Sequence, residues 1–149
     1  MKPQTPFILR PIGCVESSLT DRDQAPRQGD EGAPESWMVF EPGVSDGLAE
    51  LRVGTEVLVL TWLDRARRDI LKVHPRGDPS RPETGVFSTR SPDRPNPLGL
   101  HRVGILAIER QPDPGGGGER LRLRVRDLEA LDGTPIIDLK PVLDPISER

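Results

Sequence analysis

The chain has 149 residues, a formal net charge of -3 and 1 cysteine. Such a length is one domain's worth and buries a core without staples, and a single thiol excludes an internal disulfide and fits a reducing compartment. No apolar run approaches a membrane span, and MKPQTPFILRPIG is too short in apolar residues for a secretory signal, so a soluble, cytoplasmic protein is expected. With 17 prolines, 15 glycines, 34% hydrophobic and 3% aromatic residues, short strands joined by many turns are favoured over long helices.

Phe7 to Val15, FILRPIGCV, reads as a first strand, placed at an edge or bulged by Pro11. From Glu16 to Ser36 Pro26, Gly29, Gly32 and Pro34 punctuate a long loop. Loops of this length in compact domains are usually functional or mobile, which marks the segment Pro26-Arg27-Gln28-Gly29. Trp37 to Glu41 is a short strand. Val44 to Leu51 suggests a brief helix, with Ser45 as its N-cap and Val44, Leu48 and Leu51 on one face. Thr55 to Leu63, TEVLVLTWL, suits a strand buried on both faces, with Ile70 to His74 as its return arm in a hairpin. His74 and His101 stand alone in the sequence, so neither a metal site nor a histidine relay is expected.

Charge is concentrated in the middle. Residues 65–102 hold nine basic against four acidic side chains, enough to attract a phosphate-bearing partner locally, although such runs are also common on solvated faces. Within them lies Gly85 to Leu100, GVFSTRSPDRPNPLGL. Pro92, Pro95 and Pro97 fix φ and remove backbone donors, which excludes a helix or a central strand. Arg90, Ser91, Asp93, Arg94 and Asn96 are thereby set on a stiff backbone, either to meet a ligand or simply to face water.

Leu100 to Arg110 alternates as a long strand, and the four glycines within Pro112 to Glu119 form a flexible hairpin connection, since no helix follows as a phosphate loop requires. Leu121, Leu123 and Val125 alternate with Arg120, Arg122, Arg124 and Arg126, giving one core face and one basic ladder. Asp132-Gly133 makes a turn into a last strand from Ile136. About seven short strands with one short helix and long loops specify a mainly β fold, a small closed or nearly closed β-barrel.

Two of these stretches, GVFSTRSPDRPNPLGL and LDGTPIIDLKP, resemble the TsaA-like or YaeB-like family, whose best-known members methylate N6 of adenosine 37 in tRNA. The likeness runs from Ile8 to about Leu143. It implies a single TsaA-like β-barrel domain, residues 1–149, without the additional C-terminal domain of many bacterial relatives. It also implies S-adenosyl-L-methionine as cofactor, tRNA as partner, and a homodimer with the cofactor near the interface.

Carried over by position, the cofactor contacts fall on Pro26, Arg27, Gln28, Asp64, Arg65, Arg90, Leu100, Glu129, Ala130, Leu131 and Asp132. Asp64-Arg65 stand where well-studied relatives tend to have a His-Gln pair. Asp132 is the expected proton acceptor, and Arg94 and Asn96 the expected substrate contacts. The alternatives are methylation of a small molecule or another RNA, and a non-catalytic barrel that binds an adenosyl ligand.

Overall fold

The computed structural model describes residues 5–143. Its barrel strands are β1 (Gly13–Glu16), β2 (Ser36–Phe40), β3 (Glu56–Trp62), β6 (Leu98–Pro112), β7 (Glu119–Arg126) and β8 (Pro135–Pro141). They close in the order β1-β2-β7-β6-β3-β8, every pairing antiparallel, so that no barrel strand is left with an open edge. Two further strands, β4 (Lys72–Val73) and β5 (Thr84–Gly85), pair with each other outside the barrel.

Alternation fills the interior. Val15, Met38, Phe40, Val57, Val59, Val103, Ile105, Leu121, Leu123, Val125 and Ile136 form one buried cluster, with Leu128 and Ala130 closing an end. On β7 the arginines point outward as their spacing demands, but the ladder is largely neutralised. Arg122 pairs with Glu109 at 2.8 Å and stacks 3.9 Å from the Trp37 ring centre, and Arg126 pairs with Asp127 at 2.5 Å.

β6 is the longest strand because it serves two partners. Leu98 to Gly104 pairs with β3 and Gly104 to Pro112 with β7, and a register shift between Ile105 and Ala107 turns the corner. At that corner Gly104 lies so close to the Arg126 guanidinium that a Cβ would sit 2.5 Å from its Nε.

Several expectations are corrected. The first strand begins only at Gly13, because Pro11 has no N–H to continue the ladder; Phe7 and Ile8 are 87% and 83% exposed. The helix expected at Val44 to Leu51 is a 3₁₀ turn, Pro42–Leu48, with Glu41 at its N-cap, and Ser45 Oγ donates to the Pro42 carbonyl instead of capping. β3 is not buried on both faces: Val57, Val59 and Thr61 face the core, whereas Leu58, Leu60 and Trp62 are only half-buried on the outside. Nor does the chain after β3 return beside it. Both edges of β3 are already paired, with β6 and β8, so Lys72–Val73 pairs with Thr84–Gly85 instead.

Candidate functional site

The Pro-rich stretch is held rigid by its own side chains and by the segment just after β3. Arg94 Nε donates to the Ser91 carbonyl at 2.7 Å, and its Nη2 to the carbonyls of Val86 at 2.9 Å and Thr89 at 2.5 Å. Asp93 Oδ1 accepts from the Arg67 N–H at 2.9 Å and from Arg22 at 3.2 Å, tying this loop to the long loop after β1. Arg68 donates to the Pro95 carbonyl and to Asn96 Oδ1, with its guanidinium 5.1 Å from the centre of the Trp62 ring. A loop braced by this many charge-assisted bonds keeps its shape before any ligand arrives.

Where β3 ends and β6 begins, this loop forms one wall of a cleft of about 710 Å³. The opposite walls come from Arg22 to Gln28, from Val73 to Gly77, and from Glu129 to Leu131 after β7. Ten of the eleven expected cofactor residues line it: Pro26, Arg27, Gln28, Asp64, Arg65, Arg90, Leu100, Glu129, Ala130 and Leu131. Five distant segments of sequence converge here. Gly29 makes one of these junctions possible, since a Cβ there would overlap the Asp127 carbonyl and stand 3.0 Å from Glu129 Oε2.

Asp132 is not among the lining residues. It sits in the exposed turn before β8, and its Oδ1 accepts from the Ser17 N–H at 3.0 Å, a bond that fixes the β1 exit instead of facing the cleft. Asn96 also lies outside the cleft, occupied by Arg68, and Arg94 lines it with Nε and Nη2 already committed to the loop backbone. Arg27 and Arg90, by contrast, make no ion pair with the described residues, and Arg90 is exposed at the mouth.

The floor holds what the sequence concealed. His101 is buried, its Nε2 2.7 Å from Thr61 Oγ1 and its Nδ1 2.6 Å from Glu129 Oε1. Its partners lie 40 and 28 residues away, so only the pairing of β3 with β6 and the chain path after β7 could reveal them. The other isolated histidine, His74, lies with Nδ1 2.9 Å from the Arg81 carbonyl, and since a carbonyl only accepts, Nδ1 carries the proton there.

The closed antiparallel barrel thus carries a convergent cleft at one end, mixed apolar, cationic and anionic in its lining, the kind of concavity in which small molecules bind. Residues 14–147 match the tRNA-methyltransferase O N-terminal domain, and the chain belongs to that family. It is 42% identical over 145 residues to an S-adenosyl-L-methionine-binding protein of Archaeoglobus fulgidus, covering 95% of this chain and 96% of that protein. A probable S-adenosyl-L-methionine-binding protein of Methanothermobacter thermautotrophicus is 43% identical over 138 residues, covering 93% and 91%. The crystal structure of TrmO from Pseudomonas aeruginosa superposes with a TM-score of 0.69 at 25% identity, and the match covers 99% of this chain but 61% of that one.

Proposed function

We propose that this chain is an S-adenosyl-L-methionine-dependent tRNA methyltransferase that methylates N6 of threonylcarbamoyl-adenosine 37 in the anticodon loop. The observation that carries the reading is the convergence of Pro26 to Gln28, Asp64-Arg65, Arg90, Leu100 and Glu129 to Leu131 on one cleft, since these are the positions the family likeness marks for the cofactor. The residues fit such a ligand. Leu63, Leu98, Leu100 and Ala130 offer an apolar slot for a nucleoside, Arg27 and Arg90 hold guanidiniums free for a carboxylate, and Glu129 supplies an anion for a cation.

The bound cofactor supplies a methyl group on sulfonium, ready for in-line displacement by an amine. The chain's part is to hold donor and acceptor in line with water excluded, an effect worth roughly 7–11 kcal/mol in favourable cases. A stiff wall serves this directly, because Arg94 fixes the backbone that carries Arg90. Exposed arginine at the mouth not claimed by the cofactor, Arg65 above all, meets the phosphates of the anticodon loop.

The working form is a homodimer. Leu60 and Trp62 on β3 pair with Leu100 and Leu98 on β6 on the barrel's outer face, an apolar patch that begins at the cleft rim and suits a second copy. Leu60→Lys should therefore halve the mass measured by light scattering.

Methyl incorporation into tRNA from cells lacking the modification tests the activity, with label expected on adenosine 37. A second reading, a cofactor-binding barrel with a different acceptor, draws on the neutralised β7 ladder, whose arginines are each paired with a carboxylate and leave that face little free positive charge. Cofactor binding without transfer to any tRNA would move the assignment there.

A further inference from the structure

The cleft is lined by three carboxylates, and they are not equivalent. Asp93 is taken by Arg22 and the Arg67 N–H, and Asp64 is exposed at the rim. Glu129 is the one set into the floor, with its side chain 17% exposed. Its Oε1 is held by His101, whose side chain is 3% exposed and which is itself held by Thr61 on the neighbouring strand.

The direction of these bonds follows from the chemistry of the partners. A carboxylate oxygen accepts, so Nδ1 of His101 carries the proton, and in the neutral ring Nε2 accepts a hydrogen bond from the Thr61 hydroxyl. Both ring nitrogens are therefore engaged by protein atoms, and the imidazole has nothing left to offer a ligand. It acts through Glu129. The backbone is shaped around this arrangement, because a Cβ on Gly99 would overlap Thr61 Oγ1 and come within 2.7 Å of His101 Nε2.

We infer that His101 is a positioning residue: braced by Thr61, it fixes the Glu129 carboxylate as the acceptor for the positive charge of a sulfonium nucleoside bound in the cleft. The inference rests on the cofactor reading above and adds to it a chain of command from β3 through β6 to the floor. With Oε1 fixed, Glu129 keeps its Oε2 and the remaining lone pairs for the ligand's sulfonium or ammonium group. A cleft rimmed by arginines needs such a group, since the guanidiniums that attract a carboxylate or phosphates would otherwise repel the cationic end of the same ligand.

The test is calorimetric and compares three ligands. S-adenosylmethionine carries sulfonium and ammonium, S-adenosylhomocysteine keeps only the ammonium, and methylthioadenosine has neither. His101→Leu should weaken S-adenosylmethionine about tenfold or more while methylthioadenosine stays within about twofold, as expected when a charge-assisted contact is lost from an intact pocket. Glu129→Gln should give the same pattern without touching the buried ring. His101→Asn, whose side-chain amide can donate from nearly the position of Nδ1, should recover affinity to within about threefold. If S-adenosylhomocysteine falls with S-adenosylmethionine the carboxylate serves the ammonium, and if it does not the carboxylate serves the sulfonium. Equal losses for all three ligands, or none for any, overturn the inference and leave the cofactor reading standing. Failure of the unaltered chain to bind S-adenosylmethionine overturns both.

Discussion

Replacing Arg94 by alanine removes the three bonds that hold the Pro-rich wall. Of the three carbonyls, that of Val86 loses least, since it also accepts from the Thr89 N–H at 3.1 Å and the Thr89 hydroxyl at 2.9 Å. The carbonyls of Ser91 and Thr89 carry the effect. Net contributions of hydrogen bonds to a charged group are about 1.5–3 kcal/mol each, and partial access of water to this loop returns roughly half of that, which leaves about 1.5–3 kcal/mol for the two. In a domain of this size such a loss lowers Tm by about 3–12 °C. Differential scanning calorimetry measures it. Arg94→Lys should recover less than half, because one ammonium cannot span three carbonyls in the geometry of a planar fork. A Tm for the alanine variant within about 1 °C of the parent would refute the bracing role, and with it the claim that the wall is stiff before a ligand binds.

Arg90→Ala removes a guanidinium that braces nothing in the described structure, so Tm should stay put while S-adenosylmethionine affinity drops about tenfold by calorimetry; unchanged affinity removes Arg90 from the site. Gly99→Ala forces a methyl against Thr61 and His101, an overpacking cost of about 1–3 kcal/mol that thermal unfolding would report, and a neutral outcome would mean the floor is looser than its contacts imply. Burial, aided by the negative charge of Glu16, pushes the Cys14 thiol above its ordinary range, although part of the residue faces solvent. A raised value keeps the unreactive protonated form to higher pH, so alkylation by iodoacetamide near pH 8 should be slower than for a free cysteine, and Glu16→Gln should quicken it. A reaction midpoint at or below that of the free thiol contradicts the assignment.

Much of the barrel was legible because alternation is a local signal. The inward leucines and outward arginines of β7 specify a strand with one core face, and the glycine tract joins it to β6 as a hairpin. The Pro-rich loop was legible for the same reason, since three prolines in six residues leave few conformations. What escaped was long-range. Nothing near Lys72 tells it to avoid β3; that follows only once β8, 63 or more residues further on, has taken the edge. Thr61, His101 and Glu129 look like isolated polar residues in one dimension, and the cost of burying them is offset only by one another. Asp132 stands apart from the cleft because the chain that carries Glu129, Ala130 and Leu131 along its wall reverses immediately afterwards, at the positive φ of Gly133.

The cylinder is sewn unevenly. β3 shares seven paired positions with β6, but β1 meets β8 at only two, Gly13 with Ile136 and Cys14 with Pro135, lengthened by single bonds from Ile12 and Val15. Thermal breathing is concentrated at such a thin join. Leu131 stands two bonds from it, because the Asp132 N–H reaches across to the Leu19 carbonyl and the Gly133 N–H to that of Val15. A ligand gripping Leu131 and its neighbours thus acts as a rivet on the weakest stitch, and amide exchange there would slow on binding well before the stouter strands registered any change.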